Sequence, residues 1–354
     1  MDTETLARRV HVVIQFGAHT REHAQRLLRA EGRSMVAIEE RTGRPAALVG
    51  EIARAAPLEL GDLLDRMHLS RRQLLKLGAA GSLALALASC TEEAASQIAN
   101  RPMRKDIASL PLNDPMIDAY KAAVKAMQDL KADDKRNWTK QAEIHQNFCP
   151  HHNWLFLPWH RAYLKYFEDI CRQLSGKSDF ALPYWNWSKD LKIPPVFWEA
   201  GSILNYSPRT ATASTIFPSS IFGPPNIKTI LDETNFLLFA SGSIPLASSQ
   251  RTNSTQGPLE YGPHNTAHGI VGGTMSSYMS PLDPIFWTHH NVIDAIWVDW
   301  NIKRGNPNTN SPDWMNRTFT EFCDKDGNSV TVTMLEVILY PYFTYRFDNP
   351  TLGV

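Results

Sequence analysis

Apolar positions recur at helical spacing along several stretches of the chain. Asp114-Pro115 opens the first, with Met116, Tyr120, Ala123 and Met127 on one face and a run through Leu130. A second helix follows Pro158, runs to about Leu174 and ends at Gly176. Its stripe is His160, Tyr163, Leu164, Phe167, Cys171 and Leu174, so the imidazole of His160 faces the core. A third starts at Asp283-Pro284 and extends to about Trp300, with Phe286, His290, Ile293 and Trp297 along one face. Between them lies a short helix, with Pro263 in its first turn and Gly272-Gly273 at its end. Residues 199–258 are rich in Ser, Thr, Pro and Asn and read as long loops, while Val330-Thr-Val-Thr and Leu335 to Tyr340 read as short strands.

The N-terminal quarter has a different pattern. Met67-His-Leu-Ser-Arg-Arg-Gln-Leu-Leu-Lys-Leu-Gly is a basic head, and Ala79 to Cys90 is a short apolar run closing on small residues. That order is the layout of an export signal. Arg71-Arg72 with Leu74-Leu75-Lys76 resembles a twin-arginine signal, and Leu87-Ala88-Ser89-Cys90 resembles a lipobox that makes Cys90 the lipidated residue. Residues 1–66 have ten Arg and no Lys, Asn, Trp or Tyr, unlike the rest. Two readings stay open: translation starts at Met67 and residues 1–66 are an upstream extension, or they are a genuine helical extension. The expected organisation is residues 1–66 as that extension, 67–90 as signal peptide, 91–100 as linker and 101–354 as the functional domain. The expected location is periplasmic or at the cell surface, with the membrane met only through a lipid anchor.

Composition narrows the function. Of 354 residues 43% are apolar, enough for a sizeable core, and the formal net charge is zero, which gives no sign of a nucleic-acid partner. The chain has four cysteines, too few for a disulfide scaffold. It has twelve histidines, and all eight beyond Cys90 fall in two clusters: His145, His151, His152 and His160, then His264, His268, His289 and His290. Isolated core histidines have no reason to partition in this way. His264 and His268, spaced i, i+4, bring two imidazoles to one metal. Asp294, one turn after His290, is placed to orient a ligand. Imidazole-only ligand sets suit copper, zinc, iron or nickel, so a three-histidine zinc hydrolase competes on chemistry alone. Two separate sets of three favour a binuclear redox site.

At these residues the chain resembles the type-3 copper proteins, the tyrosinases, catechol oxidases and haemocyanins. His151-His-Asn-Trp-Leu-Phe-Leu-Pro-Trp-His160-Arg-Ala-Tyr-Leu-Lys-Tyr-Phe-Glu168 resembles their first-copper signature, and Asp283-Pro-Ile-Phe-Trp-Thr-His-His290-Asn-Val-Ile-Asp294 their second. Glu260-Tyr-Gly-Pro-His264-Asn-Thr-Ala-His268 is similar to the plant polyphenol oxidase segment. The resemblance spans roughly residues 101–346. It implies that His145, His151 and His160 hold one copper and His264, His268 and His290 the other, with His152 and His289 as spares. It implies a thioether between Cys149 and His151, a proton-accepting water held by Glu260 and Asn265, and a gate at Met279. Cys171 and Cys323 could be free thiols or a disulfide. Two departures stand out. Ala295 replaces an arginine that often follows the aspartate, so one salt bridge is missing. The chain also stops soon after Tyr340-Pro-Tyr342, which resembles the family's closing tyrosine motif. Arg104 is the expected partner of that motif, and no shielding domain is expected.

The resemblance implies a mainly α fold: an antiparallel four-helix bundle around the binuclear copper site, with long loops and a few short strands. The expected function is oxidation of phenols and o-diphenols to o-quinones by dioxygen, with copper delivered by a partner protein. The alternatives are a diphenol-only catechol oxidase, an o-aminophenol oxidase and a haemocyanin-like oxygen carrier.

Overall fold

The computed structural model describes residues 100–248 and 255–348. All of these except Asn100 belong to one unit, Arg101–Val354. The upstream stretch, the export signal with Cys90 and almost all of the linker lie outside the described residues.

Four helices position the site, and each starts from a local signal. In α1, Pro115–Asp129, Asp114 accepts from the Met116 amide at 2.8 Å and Pro115 fills a position where no N–H is needed. In α2, Trp138–Phe148, the Asn137 side chain caps through the Thr139 amide. The next, α3, Phe156–Ser175, ends at Gly176 with φ 71°. It begins two residues before Pro158, not after it. Proline is tolerated there because amides of the first turn have no intrahelical acceptor.

Three short helices follow: α4 (Ser219–Phe222), α5 (Pro224–Asp232) and α6 (Phe236–Phe239). They correct the expectation of loops throughout residues 199–258. A π-helical turn, Glu260–His264, then runs into α7, Asn265–Val271. Pro263 therefore sits inside the π turn, not in the first turn of an α-helix. The last bundle helix, α8, Ile285–Val298, is buried on every face and continues as a second π turn, Asp299–Lys303. Beyond it come α9, Pro312–Met315, and α10, Met334–Phe343.

Helix α3 packs on α1 and α8, and α2 packs on α1. Phe167 of α3 stacks on Trp287 of α8 with centroids 3.5 Å apart, and the Tyr120 hydroxyl of α1 donates to the Pro284 carbonyl at 2.6 Å. The mainly helical expectation holds. The expected strand at Leu335 to Tyr340 does not, because that segment is α10. A capping box explains it: Thr333 caps the Glu336 amide while the Glu336 carboxylate holds the Thr333 amide. Strand content is small: β1 (Met103–Arg104) pairs in parallel with β4 (Arg346–Phe347), and β2 (Thr318–Phe319) pairs antiparallel with β3 (Val332–Thr333). No described helix is long and apolar enough to cross a membrane.

Candidate metal centre

His145 sits on α2, His151 in the loop before α3, and His160 on the first turns of α3. All three are buried. Their rings lie 5.4–5.5 Å apart, centroid to centroid. The protein fixes which nitrogen faces inward. His145 Nδ1 donates to the Tyr278 carbonyl at 2.7 Å, and His160 Nδ1 donates to the Phe156 carbonyl at 2.8 Å. An imidazole that donates from Nδ1 keeps its Nε2 lone pair bare for a metal.

The second set is built in the same way. His264 closes the π turn with its Nδ1 on the Asn265 side-chain oxygen at 2.8 Å. His268, one turn on, donates from Nδ1 to the Met275 carbonyl at 2.6 Å, and its Nε2 stands 3.3 Å from Nε2 of His290 on α8. Two ring nitrogens with inward lone pairs at that distance need a cation or a proton between them. His160 and His290 stack with centroids 4.2 Å apart and planes 9° apart, so the two sets form one cluster. Nε2 of His160 and His264 is fully buried with no partner in the protein. Buried polar atoms are rarely left so, and these fit a metal. Three groups here could hold an ion: His264, His268, His289 and His290; His145, His160 and His290; and His145, Cys149 and His151. Because His290 belongs to two of them, the geometry supports a binuclear centre, while the allocation of ligands to each metal rests on the motifs.

Electrostatics agree. Burial, reinforced by the neighbouring imidazoles, holds His151, His264, His289 and His290 well below the usual histidine range. Burial brings His160 down to about 3 and His268 to about 4. Neutral imidazole is the ligating form, so the pocket keeps its ligands ready for a metal.

The two spare histidines separate. His152 leaves the trio, its backbone in the left-handed region at φ 59°, and its amide donates to Glu260 Oε1 at 2.6 Å. His289 stays: its Nε2 is buried, without a partner, and grouped with the second set.

Glu260 is buried at 1% exposure and is no surface carboxylate. The Ser241 hydroxyl donates to its Oε2 at 2.7 Å. Burial pushes its pKa up to about 7, against the pull of the His152 amide, Ser241 and Gln256. Asn265 is one π turn away, its amide on the Glu260 carbonyl. Its side-chain oxygen serves His264, which leaves the side-chain nitrogen for another acceptor. Cys149 is a buried free thiol with Sγ 3.5 Å from His151 Nδ1. Cys171 and Cys323 are likewise free and buried, so the disulfide alternative falls.

Two expectations need correction. Asp294 does not touch a ligand histidine. Its carboxylate takes Arg161 at 2.5 Å, Arg104 at 3.1 Å and the Tyr345 hydroxyl. Ala295, where the family often has an arginine, is fully buried, and Asp294 beside it is neutralised by Arg104 and Arg161. Arg104 stacks on Tyr345 at 3.5 Å and pairs with Glu168, so its tyrosine is Tyr345, not Tyr340 or Tyr342. Next to Met279, the expected gate, the ring of Tyr278 lies against the site, its centroid 5.6 Å from that of His151 and 6.0 Å from that of His145. Tyr278, Ser241, Trp187 and Arg161 were not singled out in the sequence. Only Arg161 carried a signal, because it follows a ligand inside the first motif.

A helical bundle whose core holds seven convergent imidazoles and a buried carboxylate is the design of a binuclear metal protein, and the imidazole-rich set fits copper. The family model for the common central domain of tyrosinase matches residues 122–230 and 224–303. The chain belongs to the tyrosinase family. It is 29% identical over 273 residues to (+)-larreatricin hydroxylase of Larrea tridentata, covering 64% of this chain and 46% of that protein. It is 29% identical over 284 residues to tyrosinase HcTyr1 of Hahella sp. (strain CCB-MM4), covering 64% and 59%. The chain thus spans about half the length of the curated relatives it matches. Among solved structures, Grenache polyphenol oxidase of Vitis vinifera aligns with TM-score 0.64 at 25% identity over 70% of this chain and 85% of that one. Latent apple tyrosinase aligns with TM-score 0.63 at 23% identity over 72% and 64%, a likeness of fold.

Proposed function

We propose that this chain oxidises phenols and o-diphenols to o-quinones with dioxygen at a copper pair held by His145, His151, His160, His264, His268 and His290. One observation carries this reading: buried ring nitrogens of His160 and His264 without a partner converge in one cluster, and the buried carboxylate of Glu260 accepts from the amide of the residue after His151. When bound, the copper pair supplies dioxygen binding and the redox chemistry. The residues do the rest. The backbone carbonyls of Phe156, Met275 and Tyr278 fix the ligand rings. Glu260 accepts hydrogen from a water that the Asn265 amide nitrogen also binds, and that water takes the proton of an incoming phenol. The test is copper loading followed by turnover of a monophenol, a catechol and an o-aminophenol. Oxidation of the catechol alone makes the protein a catechol oxidase, preference for the o-aminophenol makes it an o-aminophenol oxidase, and reversible oxygen binding without turnover makes it a carrier.

Three further readings belong here. Cys149 Sγ forms a thioether to carbon Cε1 of His151, the ring carbon bonded to Nδ1. The S–H and C–H hydrogens are lost and dioxygen takes up the two electrons; a copper held by the first set would supply the redox chemistry. Peptide mass spectrometry of the copper-loaded protein tests it, and an intact free thiol refutes it. Export runs through Arg71-Arg72 with lipidation at Cys90. Arg71→Lys with Arg72→Lys traps the protein inside, and Cys90→Ser releases it from the membrane. Copper arrives from a delivery partner because the ligands are buried; rapid loading by free cupric ion would refute this.

A further inference from the structure

The chain segments that carry the ligands contain almost no charge. Residues 144–160 and 261–282 have no Asp, Glu, Lys or Arg. Of the charged residues that border them, Glu260, Arg161 and Asp283 are buried, and Glu143 is neutralised by Lys140 on the same helix. Glu260 is enclosed by His152 and Ser241, Arg161 is paired with Asp294, and Asp283 with Arg209. The same two segments hold exposed aromatic rings, where an aromatic side chain normally hides most of its surface. Phe148, at the end of α2 and three residues after His145, is 52% exposed. Tyr261, directly after Glu260 and three residues before His264, is 70% exposed. Tyr278 is 45% exposed, although its ring lies against His145 and His151. The His152 amide on Glu260 joins the loop after Phe148 to the π turn that carries Tyr261.

We propose that these aromatics form a substrate-selecting rim, and that the natural phenol is uncharged and carries a second aromatic ring or a bulky apolar substituent. This rests on the proposed phenol oxidation. An aromatic ring offers a stacking surface to another ring, and Tyr278 presents one beside the first-set ligands. A carboxylate or ammonium substituent entering here would lose hydration, and these segments offer it no opposite charge in return. The rim thus discriminates by what it lacks as well as by what it stacks.

The test compares four catechols with one reacting core on copper-loaded protein: catechol, 4-phenylcatechol, 3,4-dihydroxybenzoate and dopamine. The expected result is that 4-phenylcatechol has the highest kcat/KM, about tenfold or more above both charged substrates, with the difference in KM. Tyr278→Ala lowers the ratio of 4-phenylcatechol to catechol about two- to tenfold, the size of a lost aromatic contact. Tyr261→Lys raises kcat/KM for 3,4-dihydroxybenzoate. Calorimetric binding of 4-phenylresorcinol under anaerobic conditions, where no oxidation can occur, weakens in Tyr278→Ala and reads the rim without turnover. Equal kcat/KM for the neutral and charged substrates, or unchanged binding in Tyr278→Ala, overturns the rim. Failure of every catechol to turn over, with 4-phenylresorcinol still bound through Tyr278, overturns the oxidation and leaves the rim standing.

Discussion

The indole N–H of Trp187 donates to Nδ1 of His289 at 3.1 Å. Indole is a donor only, so that nitrogen of His289 must be bare, and the neutral ring carries its proton on Nε2. Nε2 is the nitrogen that faces the second set of ligands. His289 therefore points an N–H into the cluster, where His160, His264 and His268 point a lone pair. The neighbour of His290 is a donor, not a fourth ligand.

This predicts opposite outcomes for the adjacent histidines. His289→Ala retains two coppers per chain, whereas His290→Ala and His160→Ala each lose copper and all oxidation. Metal analysis after dialysis reads the result. Copper lost in His289→Ala and kept in His290→Ala would reverse the assignment.

The buried imidazoles also set the acid limit of the metal-free protein. His160 and His268 titrate near 3 and 4 when folded and near 6.5 when unfolded, so the unfolded chain takes up more protons below 6.5. Stability is complete above that value and falls as the pH drops toward the folded values. At pH 5.5 each group costs about 1.4 kcal/mol. Glu260 works the other way: its folded value near 7 lies above its ordinary 4.5, so it gains stability as the pH falls through 7. The histidines outnumber it. The metal-free protein should melt lower at pH 5.5 than at pH 7.5, and the drop should be larger in Glu260→Gln. A flat profile would refute the neutral-imidazole cluster.

Beneath the cluster, Asp294 neutralises Arg104 and Arg161, each almost wholly buried. Asp294→Asn keeps the shape and removes the charge, leaving two guanidiniums short of a counterion. Destabilisation of about 3–5 kcal/mol is expected in chemical denaturation, as for a broken buried pair. A loss below about 1 kcal/mol would mean that Glu168 alone suffices for Arg104.

Much of this was legible because ligand chemistry leaves local signatures. The histidine spacings and the Asp114, Gly176 and Asp283 boundaries are short-range features, and the structure kept each of them. What escaped was long-range. Trp187 reaches His289 across 102 positions, and Arg104 reaches Asp294 across 190, distances no local pattern encodes. The segment Leu335 to Tyr340 misled for a different reason. Apart from Glu336 the run is apolar and carries no periodicity, and the deciding signal was Thr333 with Glu336, three residues apart.

The sharpest test of the proposed chemistry lies in Glu260 and Asn265. A phenol titrates near 10, so at neutral pH it reaches a metal as phenolate only if something takes its proton. A catechol depends less on such help, having a second hydroxyl and a weaker O–H bond. Glu260 has the right environment: buried, held by Ser241 and the His152 amide, and raised to about 7. Asn265 is pinned through its oxygen by His264, which aims its amide nitrogen at a second acceptor. Glu260→Gln and Asn265→Ala should keep both coppers and most catechol oxidation, while monophenol hydroxylation falls by about 10²–10⁴-fold, the usual worth of a general base. In the unmodified protein, monophenol turnover should rise with pH through about 7 as Glu260 ionises, and catechol turnover should follow that rise only weakly. Equal losses on both substrates would mean that Glu260 and Asn265 serve only to position His264. A pH profile identical for both substrates would remove Glu260 from the proton transfer.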